Sequence, residues 1–161
     1  MAASETATST INSFLMHWTS TTQPTSITGA EKVVDIKSYP DLGGAPEQVE
    51  STTLSDDVQT FVRGVQSIDN FDFTANYTKA SYKKLKELEK KGEGEWWGVA
   101  LGADASGAPD GHDGIIVWKG GLTAYVSGGE VNAVREMHAV FSVATKPTLL
   151  EDPKSTTETG K

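Results

Sequence analysis

Strict alternation of apolar and polar side chains in residues 71–77, FDFTANY, limits the possible folds of this chain more than any other feature. In an extended strand, every second residue from Phe71 to Tyr77 lies on one face, and the polar residues between them lie on the other. Such a strand buries one face in a core and leaves the other polar. The segment therefore predicts a β-sheet with one apolar side.

The composition sets the size and class of the fold. A chain of 161 residues with 37% hydrophobic content suits one domain with one core and is too short for two ordinary domains. Its 16 glycines and frequent Thr and Val favour strands and turns over long helices. The absence of cysteine excludes a disulfide framework, a Cys-ligated metal site and a thiol nucleophile. No secretory signal or membrane span is expected, because no Lys or Arg precedes Lys32 and no long apolar run occurs.

Further extended segments complete the predicted sheet. They cover residues 32–39, 48–55, 59–67, 95–101, 115–126 and 131–144. Residues 127–130, SGGE, suit a tight hairpin between the last two strands. One face of the last strand would be apolar, interrupted by Arg135, and would comprise Val131, Ala133, Met137, Ala139, Phe141 and Val143. A run of strands of this kind predicts an antiparallel sandwich or a partly closed barrel.

One helix is predicted among the strands, over about residues 78–91. Thr78 is a suitable N-cap, and Gly92 provides a C′ position after an uninterrupted helical run. Its apolar stripe, which includes Leu85 and Leu88, is narrow and favours a position at a sheet edge or rim. Its lysines alternate with glutamates, so we interpret them as a solvated face rather than a nucleic-acid site. The predicted fold class is therefore mainly β (α+β), an antiparallel β-sandwich or partly closed barrel with one flanking α-helix.

Both ends of the chain are polar. The first 29 residues contain thirteen Ser or Thr with little apolar periodicity, and Pro147 and Pro153 interrupt the other end. Segments of this kind do not bury enough surface to fold alone. We therefore divide the chain into an N-terminal arm (residues 1–29), a β domain (30–145) and a C-terminal arm (146–161).

Residues 40–46, PDLGGAP, form a fixed irregular corner before the second extended segment. Proline holds φ at about −65°, while Gly43 and Gly44 can adopt positive φ. The corner belongs to a series of short motifs, which are Tyr39-Pro40, Leu42-Gly43-Gly44, Pro46-Glu47, Thr52-Thr53-Leu54, Gly64-Val65 and Phe71-Asp72-Phe73. In the order and spacing of these motifs, from about residue 33 to residue 141, the chain resembles the major tail tube proteins of long-tailed, non-contractile bacteriophages (siphophages).

The resemblance implies a structural virion protein with the phage tail-tube fold. Copies would form hexameric rings whose inner sheets merge into one barrel, and the rings would stack into a tube through which viral DNA is ejected into the bacterial host. Residues 40–65 would form a long loop or hairpin for inter-subunit contact, and the arms would reach the neighbouring ring. The implied inter-subunit contacts are Phe14, Leu15, Met16, Trp18, Leu42, Gly43, Gly44 and Pro46.

The partners that the resemblance implies are other tail proteins. Besides its own copies, the subunit would contact tape-measure, tail-tip or initiator, and tail terminator proteins, and it would have no membrane partner. Its location would be the tail of the virion, after assembly in the cytoplasm of the host bacterium.

The net charge of −8 argues against binding nucleic acid through phosphates, because such binding relies on Lys and Arg. In a tube, an acidic wall would repel passing DNA over about 8 Å at physiological salt, so the DNA would pass without specific binding. The first candidates for this lumen charge are Glu50, Asp56, Asp57, Asp69 and Asp72. Alternation along a strand does not determine which face lines the lumen.

No catalytic, cofactor or metal site is predicted. The loop of residues 102–114 contains three aspartates, but their spacing does not match a calcium loop with alternating ligands and a distal Glu. The three histidines lie far apart in the sequence, and none forms a ligand pair or an acid–base motif. The sequence therefore favours a protein that is not an enzyme.

Two other interpretations stay open. A type VI-like secretion tube protein would share the fold and the ring symmetry, although the corner at residues 39–47 disfavours it. A monomeric glycan-binding β-sandwich would use Trp96, Trp97, Trp118 and the loop 102–114 as its recognition surface. Tryptophan fluorescence during titration with oligosaccharides would separate this second alternative from a tube protein.

Overall fold

The structure, a computed structural model, describes residues 11–92 and 94–150 of the chain. The strands and the helix are β1 (Ser13–Trp18), β2 (Ala30–Ser38), β3 (Pro46–Glu50), β4 (Phe61–Gln66), β5 (Phe71–Asn76), α1 (Lys79–Glu89), β6 (Trp96–Leu101), β7 (Ile115–Val126), β8 (Glu136–Val143) and β9 (Thr148–Leu149). Within those two ranges, no helix is long and apolar enough to cross a membrane.

Six strands form a closed antiparallel barrel. Their order is β6-β1-β2-β5-β8-β7, and pairing of β6 with β7 closes the ring of strands. The short strand β9 pairs with the first half of β7, whereas β3 and β4 form a separate hairpin. This architecture confirms the predicted class, a mainly β fold with one flanking helix, and of the two predicted forms, a sandwich or a partly closed barrel, it is a barrel that closes fully.

Strand β7 changes its partner halfway along, which gives the barrel a corner. Residues 115–119 pair with β6, and residues 120–126 pair with β8. At this change, a Cβ on Gly120 would lie 2.3 Å from the carbonyl oxygen of Ser142. The strands approach this closely only because residue 120 has no side chain. Strand β2 makes a similar change, since its first part pairs with β1 and its last residues pair with β5.

The main core fills the barrel around Trp118, which is fully buried. The Trp118 ring meets Phe71 edge-on, with 5.1 Å between ring centroids, and stacks on Phe73 at 5.6 Å. Asp72, between these two phenylalanines, is exposed on the opposite face of β5. The alternation that most constrained the fold is thereby confirmed.

Strand β1 lies in the barrel wall, where the sequence predicted an N-terminal arm. It pairs with β2 on one side and with β6 on the other. The side chains that were expected to contact a neighbouring subunit are instead buried in this chain, and they are Phe14, Leu15, Met16 and Trp18. The physical reason is that burial of each large apolar side chain contributes roughly 1.5–3 kcal/mol, which offsets the ordering of a short strand. Residues 1–10 of the predicted arm lie outside the described residues.

A second apolar cluster covers the outer side of the wall formed by β1, β6 and β7. Its buried members are Phe14, Met16, Trp18, Trp96, Ala100, Ile115, Val117 and Leu150. The Ser/Thr-rich loop of residues 19–29 packs over this cluster, and its carbonyl groups accept hydrogen bonds from two indole N–H groups. Trp18 Nε1 donates to Ser26 and Trp96 Nε1 donates to Thr21, each at 3.2 Å. This wall is therefore buried on both faces.

The C-terminal arm also begins later than predicted. Residues 148–149 form β9, and the buried Leu150 donates its N–H to the carbonyl of Ile115 at 2.8 Å. The predicted boundary at residue 146 therefore cuts through a segment that belongs to the barrel. Residues 151–161 of the predicted arm lie outside the described residues.

Helix α1 confirms the prediction made from its capping residues. The Thr78 side chain accepts a hydrogen bond from Ser81 N at 3.1 Å, and Gly92 follows the helix with a φ of +80°. Leu85 and Leu88 are buried against the main core. The helix contacts β7 and β2, so it lies at a rim of the barrel as expected.

The start of β8 differs from the prediction. The strand begins at Glu136, and residues 127–135 form a loop instead of a tight four-residue hairpin. Asn132 adopts a left-handed conformation with a φ of +62°, which an extended strand does not accommodate. Val131 and Ala133 are therefore exposed in the loop rather than on the apolar face.

Candidate assembly surfaces

Among the described residues, the β3–β4 hairpin and its turn carry six of the twelve large apolar side chains that are exposed. Val49 and Val62 are directly opposed in its ladder, and each is about half exposed. The other large apolar residues of the hairpin and its turn are also at least half exposed, and they are Leu54, Val58, Phe61 and Val65. Among the described elements, β3 and β4 pack closely only on each other. Exposed apolar strands of this kind mark an interaction surface.

Hydrogen bonds within the turn define the shape of the hairpin tip. The Asp56 carboxylate accepts bonds from Thr53 N at 2.6 Å and from Thr53 Oγ1 at 3.0 Å. The backbone hydrogen bond from Thr53 is the main reason that the pKa of Asp56 is lowered. Asp56 therefore has a structural role in the turn, whatever else it contacts.

The corner of residues 39–46 attaches the hairpin to the barrel. Tyr39 and Leu42 pack against the main core, so Leu42 contacts its own chain, although it was expected to contact another subunit. Gly43 adopts a positive φ of +140°, as the sequence allowed. At residue 44, glycine is required because there is no room for a side chain. A Cβ there would lie 2.9 Å from the Ser67 carbonyl oxygen. Pro46 starts β3 and pairs with Gln66 at the base of the hairpin.

The hairpin and the β7–β8 loop lie at opposite ends of the barrel sheet that contains β5 and β8. β5 pairs with β8 from Phe71↔Phe141 at one end to Asn76↔Glu136 at the other. The hairpin precedes Phe71 in the chain, whereas the β7–β8 loop precedes Glu136. That loop also exposes apolar side chains, Val131 and Val134. Each end of the sheet therefore presents an apolar surface.

The outward face of β5, β7 and β8 is polar and holds a stacked aromatic pair. His138 Nδ1 lies 2.8 Å from the Asp72 carboxylate, and the His138 ring stacks on Tyr125 with 4.9 Å between centroids. Lys37 forms an ion pair with Glu136 on the same side of the barrel. This face therefore carries both charge signs and is not uniformly acidic.

The five acidic residues predicted for the lumen fall into two groups. Glu50, Asp56 and Asp57 lie at the far end of the hairpin, and Asp69 and Asp72 lie at the start of β5. The hairpin extends over several residue pairs between the two groups, at about 3.4 Å per residue. The structure does not bring the five residues together into one patch.

The loop of residues 102–114 is stabilised by its own aspartates. The Asp104 carboxylate accepts bonds from Ser106 N, Ser106 Oγ and Ala108 N, and these bonds lower the pKa of Asp104. His112 lies 2.7 Å from Asp110 and 3.3 Å from Asp113. Within residues 11–92 and 94–150, no group of three or more His, Asp or Glu side chains is placed to hold a metal ion.

The tryptophans proposed for a glycan platform are not on the surface. Trp96 is 8% exposed, Trp97 is 2% exposed and Trp118 is fully buried. Aromatic rings that stack on a sugar need an exposed face. The three tryptophans therefore offer no exposed ring for stacking on a sugar.

Sequence reasoning missed the contacts that the α1 side chains make with strand backbones. Glu89 Oε2 accepts a bond from Ala124 N at 2.7 Å, and Lys86 Nζ donates to Ala124 O at 3.2 Å. Lys84 Nζ donates to the carbonyl of Lys32, in β2, at 3.0 Å. We interpreted these lysines as a solvated face, because a helical pattern carries no information about strands far away in the sequence.

Solved structures that resemble this chain include proteins of tails and of tube ends. The sheath/tube terminator of the extracellular contractile injection system PVC, in its extended state, has a TM-score of 0.66 and 9% identity, covering 91% of this chain and 99% of its own. The tube-terminating cap of the anti-feeding prophage has a TM-score of 0.59 and 10% identity, covering 92% of this chain and 94% of its own. A chain in the tail of an empty GTA particle, refined with C6 symmetry, has a TM-score of 0.59 and 14% identity, covering 88% of this chain and 98% of its own.

The chain therefore has the fold of tail tube and tube-terminator proteins. No protein-family model matches it, and neither does any curated protein. The PVC structure belongs to a contractile system, so the fold is not restricted to the non-contractile tails that the sequence motifs indicated.

Proposed function

We propose that this chain is a structural protein of a phage tail or a tail-like particle, and that its copies form six-membered rings that stack into the tail tube. The observation that carries the proposal is a fold shared with tail proteins over 88–92% of the chain. The exposed hairpin supports it independently, because a folded chain that leaves such a surface uncovered is suited to assembly.

The two apolar surfaces favour head-to-tail stacking. The hairpin and the β7–β8 loop lie at opposite ends of one sheet, so the two surfaces of one copy face in opposite directions. Contacts between different surfaces are heterologous, and they close into a ring or repeat along an axis according to the rotation between copies. Both arrangements are required for a tube of stacked rings.

The tube would conduct viral DNA. We assign Asp69 and Asp72, beside the outward face of β5, to the lumen wall, together with Glu50, Asp56 and Asp57 on the hairpin. An Asp72→Lys variant in assembled particles should slow DNA release, whereas Glu87→Lys on the exposed side of α1 is the matched control. Equal release times for the two variants would exclude Asp72 from the lumen.

The partners and location follow from the same assignment. Tape-measure, tail-tip or initiator, and terminator proteins would contact the tube, and the protein would reside in the virion tail after assembly in the bacterial cytoplasm. The sequence motifs favour a non-contractile tail, and electron microscopy of native particles tests this point directly. A sheath around the tube would assign the protein to a contractile particle instead.

A tube terminator is the second candidate. The likeness with a TM-score of 0.66 is to a sheath/tube terminator, and another neighbour is a tube-terminating cap. A terminator closes the end of a tube with a ring, whereas a tube protein adds ring after ring. The two functions therefore differ in whether the purified chain polymerises.

Electron microscopy of the full chain at high concentration tests the proposal, with and without a cognate tail-tip complex. Tubes of varying length are the expected result. Single rings that bind only to the ends of preformed tubes would support the terminator instead. A chain that remains monomeric under both conditions would overturn both functions.

A further inference from the structure

The second half of β7 has a side that no described strand covers. The ladder with β6 ends at the Trp96↔Lys119 pair, whereas the ladder with β8 continues to Val126. Beyond Lys119, β7 is therefore paired on one side only, within residues 11–92 and 94–150. Backbone groups on such an edge are a template for pairing with a strand of another chain.

Two side chains of α1 occupy this edge at Ala124. Glu89 accepts the bond from Ala124 N at 2.7 Å, and Lys86 donates to Ala124 O at 3.2 Å. In an antiparallel ladder, the N–H and C=O of one residue point to the same side, where they would exchange two bonds with a neighbouring strand. The carboxylate and the ammonium group therefore occupy the two positions that such a strand would use.

The two side chains are held by each other and by the helix beneath them. Lys86 Nζ lies 3.1 Å from Glu89 Oε1, so the two groups form an ion pair one turn apart. Leu85 and Leu88 anchor the same turns in the main core. On the opposite flank of the helix, Lys84 donates to the carbonyl of Lys32 in β2. Helix α1 thus spans the opening between two strands and bonds to the backbone of both.

Without the two side chains, water could form the hydrogen bonds of the Ala124 N–H and C=O groups, as it does at uncovered strand edges. The Lys86–Glu89 pair differs from water in one respect, because an incoming strand has to displace two anchored side chains rather than mobile solvent. Charged side chains on edge strands commonly prevent edge-to-edge association. Here, the charges come from a helix packed beside the strand.

We propose that Lys86 and Glu89 guard the β7 edge, and that they keep the free subunit from pairing edge to edge with a second copy of this chain. This proposal concerns the isolated chain, so it does not depend on whether the subunit forms a tube. If inner sheets merge in a ring, the pair swings away from Ala124 as the ring closes. The Lys86–Glu89 pair then delays association until contacts with an initiating surface offset the free energy that is needed to displace the two side chains.

The test compares two double variants of the full chain. Lys86→Ala/Glu89→Ala removes the guard, and Lys83→Ala/Glu87→Ala removes the same two charges from exposed positions of the same helix. Sedimentation velocity over a concentration series measures the onset of self-association, and near-ultraviolet circular dichroism confirms that each variant is folded. Hydrogen exchange reports on the amide of Ala124.

We expect the guard variant to associate at a concentration at least about tenfold lower than the wild type, while the control variant matches the wild type. The Ala124 amide should exchange at least about tenfold faster in the monomeric guard variant. A folded guard variant with the association onset of the wild type overturns the proposal.

A third variant decides the matter if the guard variant does not fold. Lys86→Met keeps an unbranched apolar side chain at this position but loses the ammonium group that donates to Ala124 O. An onset at a lower concentration than that of the control variant supports the proposal, and an onset equal to the control contradicts it. Association of the wild type into tubes under other conditions is a separate result and tests the proposed function alone.

Discussion

The imidazole Nε2 of His17 lies 3.1 Å from the carboxylate of Glu95, although the His17 side chain is only 2% exposed. The His17 ring also packs on Trp97, with 4.5 Å between centroids. Burial lowers the pKa of His17, and the attraction of the Glu95 carboxylate opposes this shift only in part. The fold therefore stabilises the neutral imidazole.

The stability of the fold should decrease as the pH falls below about 6.5, the ordinary pKa of histidine. The folded-state pKa of His17 is lower than the unfolded value, so the unfolded chain binds the proton first. Stability continues to fall until the pH reaches the folded-state pKa of His17. The nearby charge of Lys91 lowers this pKa and that of Glu31 raises it. Urea unfolding midpoints between pH 7.5 and 5.5 measure the effect.

His17→Gln should remove most of this dependence, whereas His112→Gln, in an exposed loop, serves as the matched control and should keep it. The carboxyl groups with lowered pKa values, such as Glu31 and Glu89, lose their contribution only at lower pH. An equal pH dependence in the His17→Gln variant and the wild type would show that other groups cause it.

Leu15→Ala should destabilise the fold by about 2–5 kcal/mol, because Leu15 is fully buried in the main core and its truncation leaves a cavity. Leu54→Ala, at the fully exposed tip of the hairpin, should change the free energy of unfolding by less than about 0.5 kcal/mol. Chemical denaturation of both variants is the measurement. Equal stability of the two variants would show that β1 does not contribute to the stability of the barrel and is a detachable arm.

Gly120→Ala should destabilise the fold by about 1–3 kcal/mol or more, since the new Cβ would lie 2.3 Å from the carbonyl oxygen of Ser142. The conflict is with backbone, which does not move aside as a flexible side chain does. Gly128→Ala meets no atom within 4 Å and serves as the control. If thermal unfolding shows the same midpoint for both variants, β7 and β8 can move apart at residue 120 more easily than the structure indicates.

Replacing Val62 and Val65 by Asp should leave the unfolding midpoint nearly unchanged, because both side chains are more than half exposed in the hairpin. The same change should abolish tube or ring formation, since it puts two charges on the apolar surface proposed for assembly. Thr60→Asp would be a poor control because Thr60 bonds to Thr52, so Lys83→Asp on α1 is preferable. Normal assembly of the Val62→Asp/Val65→Asp variant would exclude this part of the hairpin as a contact.

The sequence predicted those elements whose signals are local. Thr78 and Gly92 marked the ends of α1, and the alternation around Phe71 and Phe73 marked β5. β7 was predicted with the bounds that the structure shows, because a long run of apolar and β-branched residues begins after Gly114. Helix capping and apolar–polar alternation depend on neighbours in the sequence, so they can be predicted without knowledge of the fold.

Features that depend on distant residues were not predictable in the same way. Both β1 and β9 are short and surrounded by Ser, Thr or Pro, and they become strands only because β6 and β7 offer edges to pair with. The extension of β8 to Val131 was wrong because Asn132 turns the chain. The hairpin was foreseen as an extended segment, but its exposure follows from the barrel, which closes without it.

The pairing of β1 with β6 brings the first described strand next to one from the second half of the chain, with Ser13 opposite Leu101. β1 can pair with β2 early in synthesis, but its second partner, β6, is made only after more than half of the polypeptide, and β8 emerges later still. Contacts this distant in sequence slow folding and leave Leu15 and Trp18 temporarily uncovered. The barrel can therefore close only after β8 has been made, late in the synthesis of the chain.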